Sequence, residues 1–304
     1  MSLCYGQMLD YRGLEALYAI VKNNSFEKAA EKLHITQSAI SQRLKNIQNY
    51  YGDSLLIRSH PYLTTKLGEK LLGHFMRVNQ LEVSLDTELG IKESKFVITI
   101  AISRDSLETW FISLIKQSNV FKNTMLEILA DDEEITLNYL KNGLVTACFS
   151  TSAKPLVNCE ASYLGTLNYV LVCSPEFKQN YFGKENIRPK DLIQAPAIIF
   201  DNNDSLHDRF LRKFFNITNT ESTYHIVPSV QGFKQFALKG YAYALIPEID
   251  VISEINSGKL INLCPKNIWE MPVYLHTWKC KYPEYDMLYN NLITSVRQQL
   301  CHSV

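Results

Sequence analysis

Residues Ser25 to Lys45 read SFEKAAEKLHITQSAISQRLK, and two short helical patterns meet there at a break too tight for anything but a helix-turn-helix. Phe26, Ala29, Ala30 and Leu33 recur at helical spacing, with Ser25 ahead of them as an acceptor for the open first-turn backbone donors. Thr36 is placed to cap a second helix, whose apolar residues Ile40, Leu44 and Ile47 fall at i, i+4 and i+7. On that helix Gln37, Ser38, Ser41, Gln42, Lys45 and Gln48 share one face, because successive residues advance about 100°. No carboxylate interrupts it. Amides can pair with base edges, hydroxyls can serve phosphates or bases, and Lys45 can neutralise a phosphate. Polar residues along one helix face would alone mean only solvation. Behind a tight turn, with Ala29-Ala30 small enough for close helix packing, they point to double-stranded DNA.

Working outward, Tyr50-Tyr51-Gly52 ends the second helix, with Gly52 free to adopt the left-handed cap conformation. Leu55 to Arg58 then reads as a short strand, Ser59-His60-Pro61 as its turn and Tyr62-Leu63 as the return. This β-wing carries Arg58 and His60, with Lys66 beside them, toward the DNA backbone or minor groove. Residues 41–80 hold Arg43, Lys45, Arg58, Lys66, Lys70 and Arg77 against Asp53 and Glu69, a local positive excess inside a chain of net charge zero. Thr64 or Thr65 can cap a helix running to about Leu89. Its apolar seam is Leu67, Leu71, Phe75, Val78, Leu81, Leu85 and Leu89. Some 25 residues span about 37 Å, long for a lone surface helix, so the seam predicts a homodimer that sets two recognition helices on one DNA face.

The 304 residues suffice for two or three domains, and 46% hydrophobic with 20% charged content is that of a soluble protein. No apolar run is long enough to span a membrane and no signal-peptide core follows the start, so a cytoplasmic protein without membrane partners is expected. Cysteines at 4, 148, 159, 173, 264, 280 and 301 form no C-x-x-C pair or zinc spacing and read as isolated reduced thiols. No P-loop, G-x-G-x-x-G before a helix, H-E-x-x-H or G-x-S-x-G is present, so neither enzyme chemistry nor a cofactor or metal is expected. His225 and His276 sit in or beside strands and read as hydrogen-bonded structural residues.

After Glu93, strands and helices alternate: 96–102, a helix near 107–117, 125–129, then strands at 146–149, 169–173, 197–200, 243–246 and 273–276. Such alternation argues for an α/β domain whose ligands gather at the carboxyl ends of strands.

Together these segments resemble the LysR-type transcriptional regulators. The carrying residues are Ser25-Phe26-x-x-Ala29-Ala30-x-x-Leu33, Thr36 to Leu44, Leu55 to Arg58 and Leu63 to Gly68. Asp10-Tyr11-Arg12-x-Leu14, Asp105-Ser106-Leu107-x-Thr109-Trp110, Phe200-Asp201, His225-Ile226-Val227 and Ile246-Pro247 extend the likeness to the branch that senses basic amino acids. The resemblance implies an N-terminal winged helix-turn-helix domain (8–64), a linker and dimerisation helix (65–90), and a C-terminal domain (91–304) like periplasmic binding proteins. Subdomain I of that domain would take 91–165 and 269–304, and subdomain II 166–268. Carried over, the DNA contacts are Thr36, Gln37, Ser38, Ser41, Gln42, Arg43 and Arg58, beside Lys45 from the face itself. A dimer of dimers and contact with RNA polymerase are also implied. Two positions depart from the branch: His34 stands where Cys or an apolar residue is usual, and Arg104 where a small polar residue is.

The expected effector is lysine, arginine or a related cation, held by residues just past strand ends: Ser103, Arg104, Asp105 and Ser106; Asp131, Asp132 and Glu133; Ser150 and Thr151; Asp201 and Asn202. Carboxylates suit the ligand's cations, while hydroxyls and Arg104 suit its carboxylate. The acidic run 131–134 also reads as a solvated turn or a helix start. Competing readings are an effector-independent DNA-binding inhibitor of replication initiation, a redox-sensing regulator, and a solute-binding protein or enzyme built on the C-terminal part.

Overall fold

The computed structural model describes residues 9–57, 59–90, 96–122, 124–183, 187–202, 204–218, 223–279 and 283–301. The chain divides into two compact units, one of residues 1–102, 120–162 and 275–291, the other of 103–119, 163–274 and 292–304.

The first unit opens with α1 (Tyr11–Asn23), α2 (Phe26–Lys32) and α3 (Gln37–Tyr51). Each start is capped as the side chains allow: Asp10 accepts from the Gly13 amide, Ser25 from Lys28 and Thr36 from Ala39. Leu14, Leu17 and Ile20 of α1 close over Ile40, Leu44 and Ile47 of α3, with Ala29 and Ala30 buried beside them. The turn between α2 and α3 puts His34 at φ 53. Its amide donates to Glu31 O and the Ile35 amide to Ala30 O, which closes the end of α2 as a Schellman motif. This left-handed position, tolerated by His better than by branched residues, accounts for a structural His34. Gly52 ends α3 at φ 69, as expected.

Strands β1 (Leu56–Ile57) and β2 (Leu63–Thr64) pair antiparallel as the wing. Thr65 Oγ1 then accepts from the Gly68 amide and starts α4 (Lys66–Glu88). The expected single seam on α4 is divided. Leu67, Leu71 and Phe75 pack on the helix-turn-helix core, joined by buried Leu72, whereas Leu81, Leu85 and Leu89 are 46%, 52% and 60% exposed. The reason is local: the three-helix core reaches only the first half of the helix.

In the same unit β3 (Phe96–Ser103) lies between β4 (Thr124–Asp131) and β5 (Ala147–Ser150), parallel to β5 through Ile100↔Ala147 and Ala101↔Cys148. Leu140 of α7 (Thr136–Lys141) packs with Ala101, Val145, Cys148 and Trp278 into a small core.

The second unit begins with a helical run, α5 (Arg104–Ser106), a π-helical turn (Leu107–Phe111) and α6 (Ile112–Gln117). The expected strand 169–173 is the end of a much longer one, β6 (Cys159–Cys173). Glu160, Ser162, Gly165 and Thr166 break its apolar pattern, so periodicity alone misses the first two-thirds. After α8 (Pro175–Tyr181), α9 (Pro189–Gln194) and β7 (Ala197–Ile199) come α10 (Leu206–Phe215), β8 (Tyr224–Ile226) and α11 (Val230–Leu238). The order continues with β9 (Ala244–Pro247), α12 (Glu248–Asn256), β10 (Ile261–Asn262), β11 (Trp269–Trp278) and α13 (Pro283–Cys301), of which residues 275–291 belong to the first unit. β6 pairs antiparallel with β9 and β10, and β7 runs parallel to β8. Val170, Val172, Ile198, Ala244, Ile246 and Val251 form the core between these strands and α11 and α12. The result is a mixed α/β unit. Among the described residues no helix is long and apolar enough to cross a membrane.

Candidate nucleic-acid interface and effector site

With Ile40, Leu44 and Ile47 buried, α3 leaves Thr36, Gln37, Ser38, Ser41, Gln42 and Lys45 exposed. Thr36 Oγ1 and Ser38 Oγ lie 2.9 Å apart, so the cap and the face begin as one hydroxyl pair. Gln42 Nε2 donates to Asn46 Oδ1 at 2.7 Å. Asn46, one turn behind, thereby orients the amide and leaves its carbonyl and second N–H for a base edge. Asn46 escaped the sequence reading, although i,i+4 pairing could have found it.

Gln48 of the expected face and Arg43 of the contacts implied by the resemblance turn elsewhere. Gln48 Oε1 accepts from the Leu55 amide at 3.1 Å and so fastens α3 to the wing. Arg43 is half-buried on the flank facing α1, with Nη1 3.5 Å from Glu15 Oε2. Its guanidinium is partly neutralised there, while Lys45 stays exposed. Arg58 lies outside the described residues. His60, beside it, has its ring 5.4 Å from that of Tyr62.

The effector candidates fall in two sets. In the second unit Ser103 caps α5 by accepting from the Ser106 amide, and the Tyr169 hydroxyl donates to Asp105 Oδ2 at 2.7 Å. The Arg104 guanidinium lies over the Phe200 ring at 4.9 Å, which brings the 103–106 turn to the 200–202 segment. Asp201 accepts through its backbone from the Asp204 amide, Asp204 Oδ2 accepts from the Phe200 amide, and Asn202 is exposed. In the first unit Asp131 Oδ2 accepts from the Tyr139 hydroxyl at 2.6 Å and Asp132 Oδ1 from the Glu134 amide at 2.9 Å. Glu133 O accepts from the Thr136 hydroxyl, Ser150 Oγ accepts from the Ser152 amide, and Thr151 is half-buried. Asp131 and Asp132 thus hold the turn into α7 as well as presenting charge.

A further group joins Asp105 in the second unit. Asp250, in the first turn of α12, is pushed up to about 7 by burial and, against Lys234, by the charges of Asp105, Glu108 and Glu254. Lys234 Nζ donates to Asp250 O at 2.8 Å and pairs with Glu254 Oε1 at 2.7 Å. The rule applied to the other strand ends would have reached Asp250, which follows β9 by three residues.

Burial pushes the Cys159 and Cys173 thiols up to about 12, Cys264 to about 11 and Cys148 higher still. Thiols so held stay protonated and are poor nucleophiles, which removes support for redox sensing by these four. His276 is buried, its Nε2 2.8 Å from Ser152 O, and its pKa is lowered by burial, in keeping with a structural role.

Residues 11–69 match the bacterial regulatory helix-turn-helix family of LysR type, and 94–283 match the LysR substrate binding domain. The chain is 41% identical over 273 residues to the HTH-type transcriptional regulator ArgP of Vibrio cholerae, covering 89% of this chain and 91% of that protein. Among solved structures, ArgP from Mycobacterium tuberculosis aligns with a TM-score of 0.80 at 29% identity, covering 96% of this chain and 98% of its own. Full-length LysG from Corynebacterium glutamicum, with the effector Arg bound, aligns with a TM-score of 0.75 at 26% identity over 95% and 99%.

Proposed function

The chain belongs to the LysR family of bacterial DNA-binding transcriptional regulators, and on that premise we propose that lysine or arginine controls its operator binding or activation. The observation that carries the effector reading is Asp105. Its carboxylate is oriented by the Tyr169 hydroxyl beside Arg104, an arrangement suited to a ligand bearing both a cation and a carboxylate. That LysG holds Arg supports the same class of ligand. The domain limits expected from sequence, 8–64, 65–90 and 91–304, fit this division of labour. Exposed Leu81, Leu85 and Leu89 support a homodimer through α4, with a dimer of dimers and RNA polymerase as further partners. The buried thiols favour this reading over a redox sensor.

Titration calorimetry tests the effector. Arginine or lysine should bind the wild type, leucine and glutamine should not, and Asp105→Asn should weaken the cationic ligand at least tenfold. Absence of heat with both cations would remove them as effectors. A DNA footprint that is identical with and without arginine would favour the effector-independent replication inhibitor instead.

At the reading head, Gln42→Ala should weaken specific binding by about 1 to 3 kcal/mol and relax preference at one base pair. Lys45→Ala should weaken all sequences alike and lower the salt slope by about 1. Normal operator affinity in Gln42→Ala, measured by fluorescence anisotropy across salt concentrations, would remove the base-reading role.

A further inference from the structure

Within the first unit a cavity of about 270 Å³ lies between α4, α7, the 156–158 loop and Trp278, and it shares no residue with the effector candidates. Lys66, Lys70, Gly73 and Arg77 line it from one stripe of α4, at i, i+4, i+7 and i+11, and Lys141 adds a fourth cation from α7. Glu69 is the one acidic side chain among the lining residues, and it is paired with Lys141 at 2.9 Å. Three cations therefore exceed the acids around one small space, a repulsion that an anion would relieve.

The rest of the wall is apolar. The Trp278 ring rests on the backbone of α4: a Cβ at Gly73 would stand 2.8 Å from Trp278 Cη2. Its indole Nε1 donates to Val145 O at 3.4 Å, which fixes the ring. Leu156 lines the cavity, and Val157 beside it is 78% exposed, an apolar side chain left in water at the mouth. Asn158 next to it is held at φ 61, and its carbonyl accepts from the Lys279 amide at 2.9 Å. Cations on one wall and an aromatic with aliphatic groups on the other define an amphipathic ligand. We propose that this cavity binds a small organic anion, a carboxylate or phosphate on an apolar or aromatic body, and so ties the helix carrying the reading head to the α7 side of the same unit. The size suits a single-ring molecule rather than a dinucleotide or a chain segment.

The probe is phenylacetate, added to the full-length protein and followed by NMR at the Trp278 indole N–H, assigned through Trp278→Phe. Phenylacetate should shift this resonance saturably, whereas phenylethanol, which lacks the charge, and phenethylamine, which reverses it, should not. Phenyl phosphate acting in place of phenylacetate would support the site and name phosphate as its anion. The double variant Lys66→Gln/Lys70→Gln should weaken phenylacetate at least tenfold while the Trp110 and Trp269 indole resonances stay in place. Inorganic phosphate binding as tightly as phenylacetate would overturn the apolar part of the proposal. No shift at 10 mM of either aryl anion, or unchanged affinity in the double variant, would overturn the site. If the double variant instead lowers only the salt dependence of DNA binding, the two lysines serve the duplex and the proposal falls.

Discussion

Gly68→Ala should destabilise the reading head by about 2 kcal/mol and lower operator affinity with it, although helix propensity alone predicts the opposite sign. Gly68 lies in the first turn of α4, where alanine is ordinarily favoured over glycine by roughly 1 kcal/mol. A Cβ there would stand 2.2 Å from the Leu55 carbonyl oxygen and 3.2 Å from Thr64 Cβ. The obstacle is backbone, and it is pinned from both sides. Leu55 O accepts from the Thr65 amide at 3.1 Å, the Leu55 amide donates to Gln48, and the Leu55 side chain is fully buried. Opening the contact means moving α4 away from the wing or the wing away from α3, and overpacking of this kind typically costs about 1 to 3 kcal/mol. The control is Gly52→Ala, where φ is 69 but nothing lies within 4 Å of the added methyl, so only the backbone cost of about 1 kcal/mol applies. Thermal unfolding should rank wild type above Gly52→Ala and Gly52→Ala above Gly68→Ala. A Gly68→Ala protein as stable as wild type would mean that α4 leaves the wing without penalty.

The same junction shows what could be read in advance. Caps and periodicity are local, so Ser25, Thr36 and Gly52 announced α2 and α3 nearly to the residue. α1 carries the same kind of local signal, since Leu14, Leu17, Ile20 and Val21 recur at helical spacing behind the Asp10 cap. Tertiary partners were less legible. Nothing around Arg43 says that Glu15, 28 residues earlier, will take up its charge, nor that Gln48 will bind the wing instead of solvent. On α4 the apolar repeat continues past the point where the domain core stops, so spacing could not separate Leu71, which is buried, from Leu85, which is not. At the proposed effector site, strand ends located Asp105 and Arg104, but the tyrosine that orients Asp105 comes 64 residues later from the last third of β6. That depends on the order of strands in the sheet, which no local pattern encodes.

Asp250→Asn should stabilise the protein at pH 8 by on the order of 3 to 4 kcal/mol while changing little at pH 4. The folded-state value near 7 stands above the ordinary 3.8 because the carboxyl is buried, with Asp105, Glu108 and Glu254 adding like charge and Lys234 only partly opposing them. Lys234 is drawn to Glu254 at 2.7 Å and gives Asp250 only its backbone contact. A raised carboxyl means that the folded chain keeps a proton that the unfolded chain has lost. Stability therefore falls as pH rises from about 4 to about 7, and above 7 the full penalty is present. Asparagine keeps the shape of the protonated acid and cannot ionise, so the two proteins should converge in acid and part above neutrality. Denaturant midpoints at pH 4, 5, 6, 7 and 8 measure this, and parallel curves would show that Asp250 is ionised throughout. The effector adds a second consequence. A cationic ligand seated against Asp105 offsets part of the negative field at Asp250 and favours its carboxylate, so binding near pH 7 should release a fraction of a proton. Calorimetric heats of arginine binding should then vary with the ionisation enthalpy of the buffer in the wild type and lose that dependence in Asp250→Asn. Buffer-independent heat in the wild type would place the bound cation beyond the reach of Asp250.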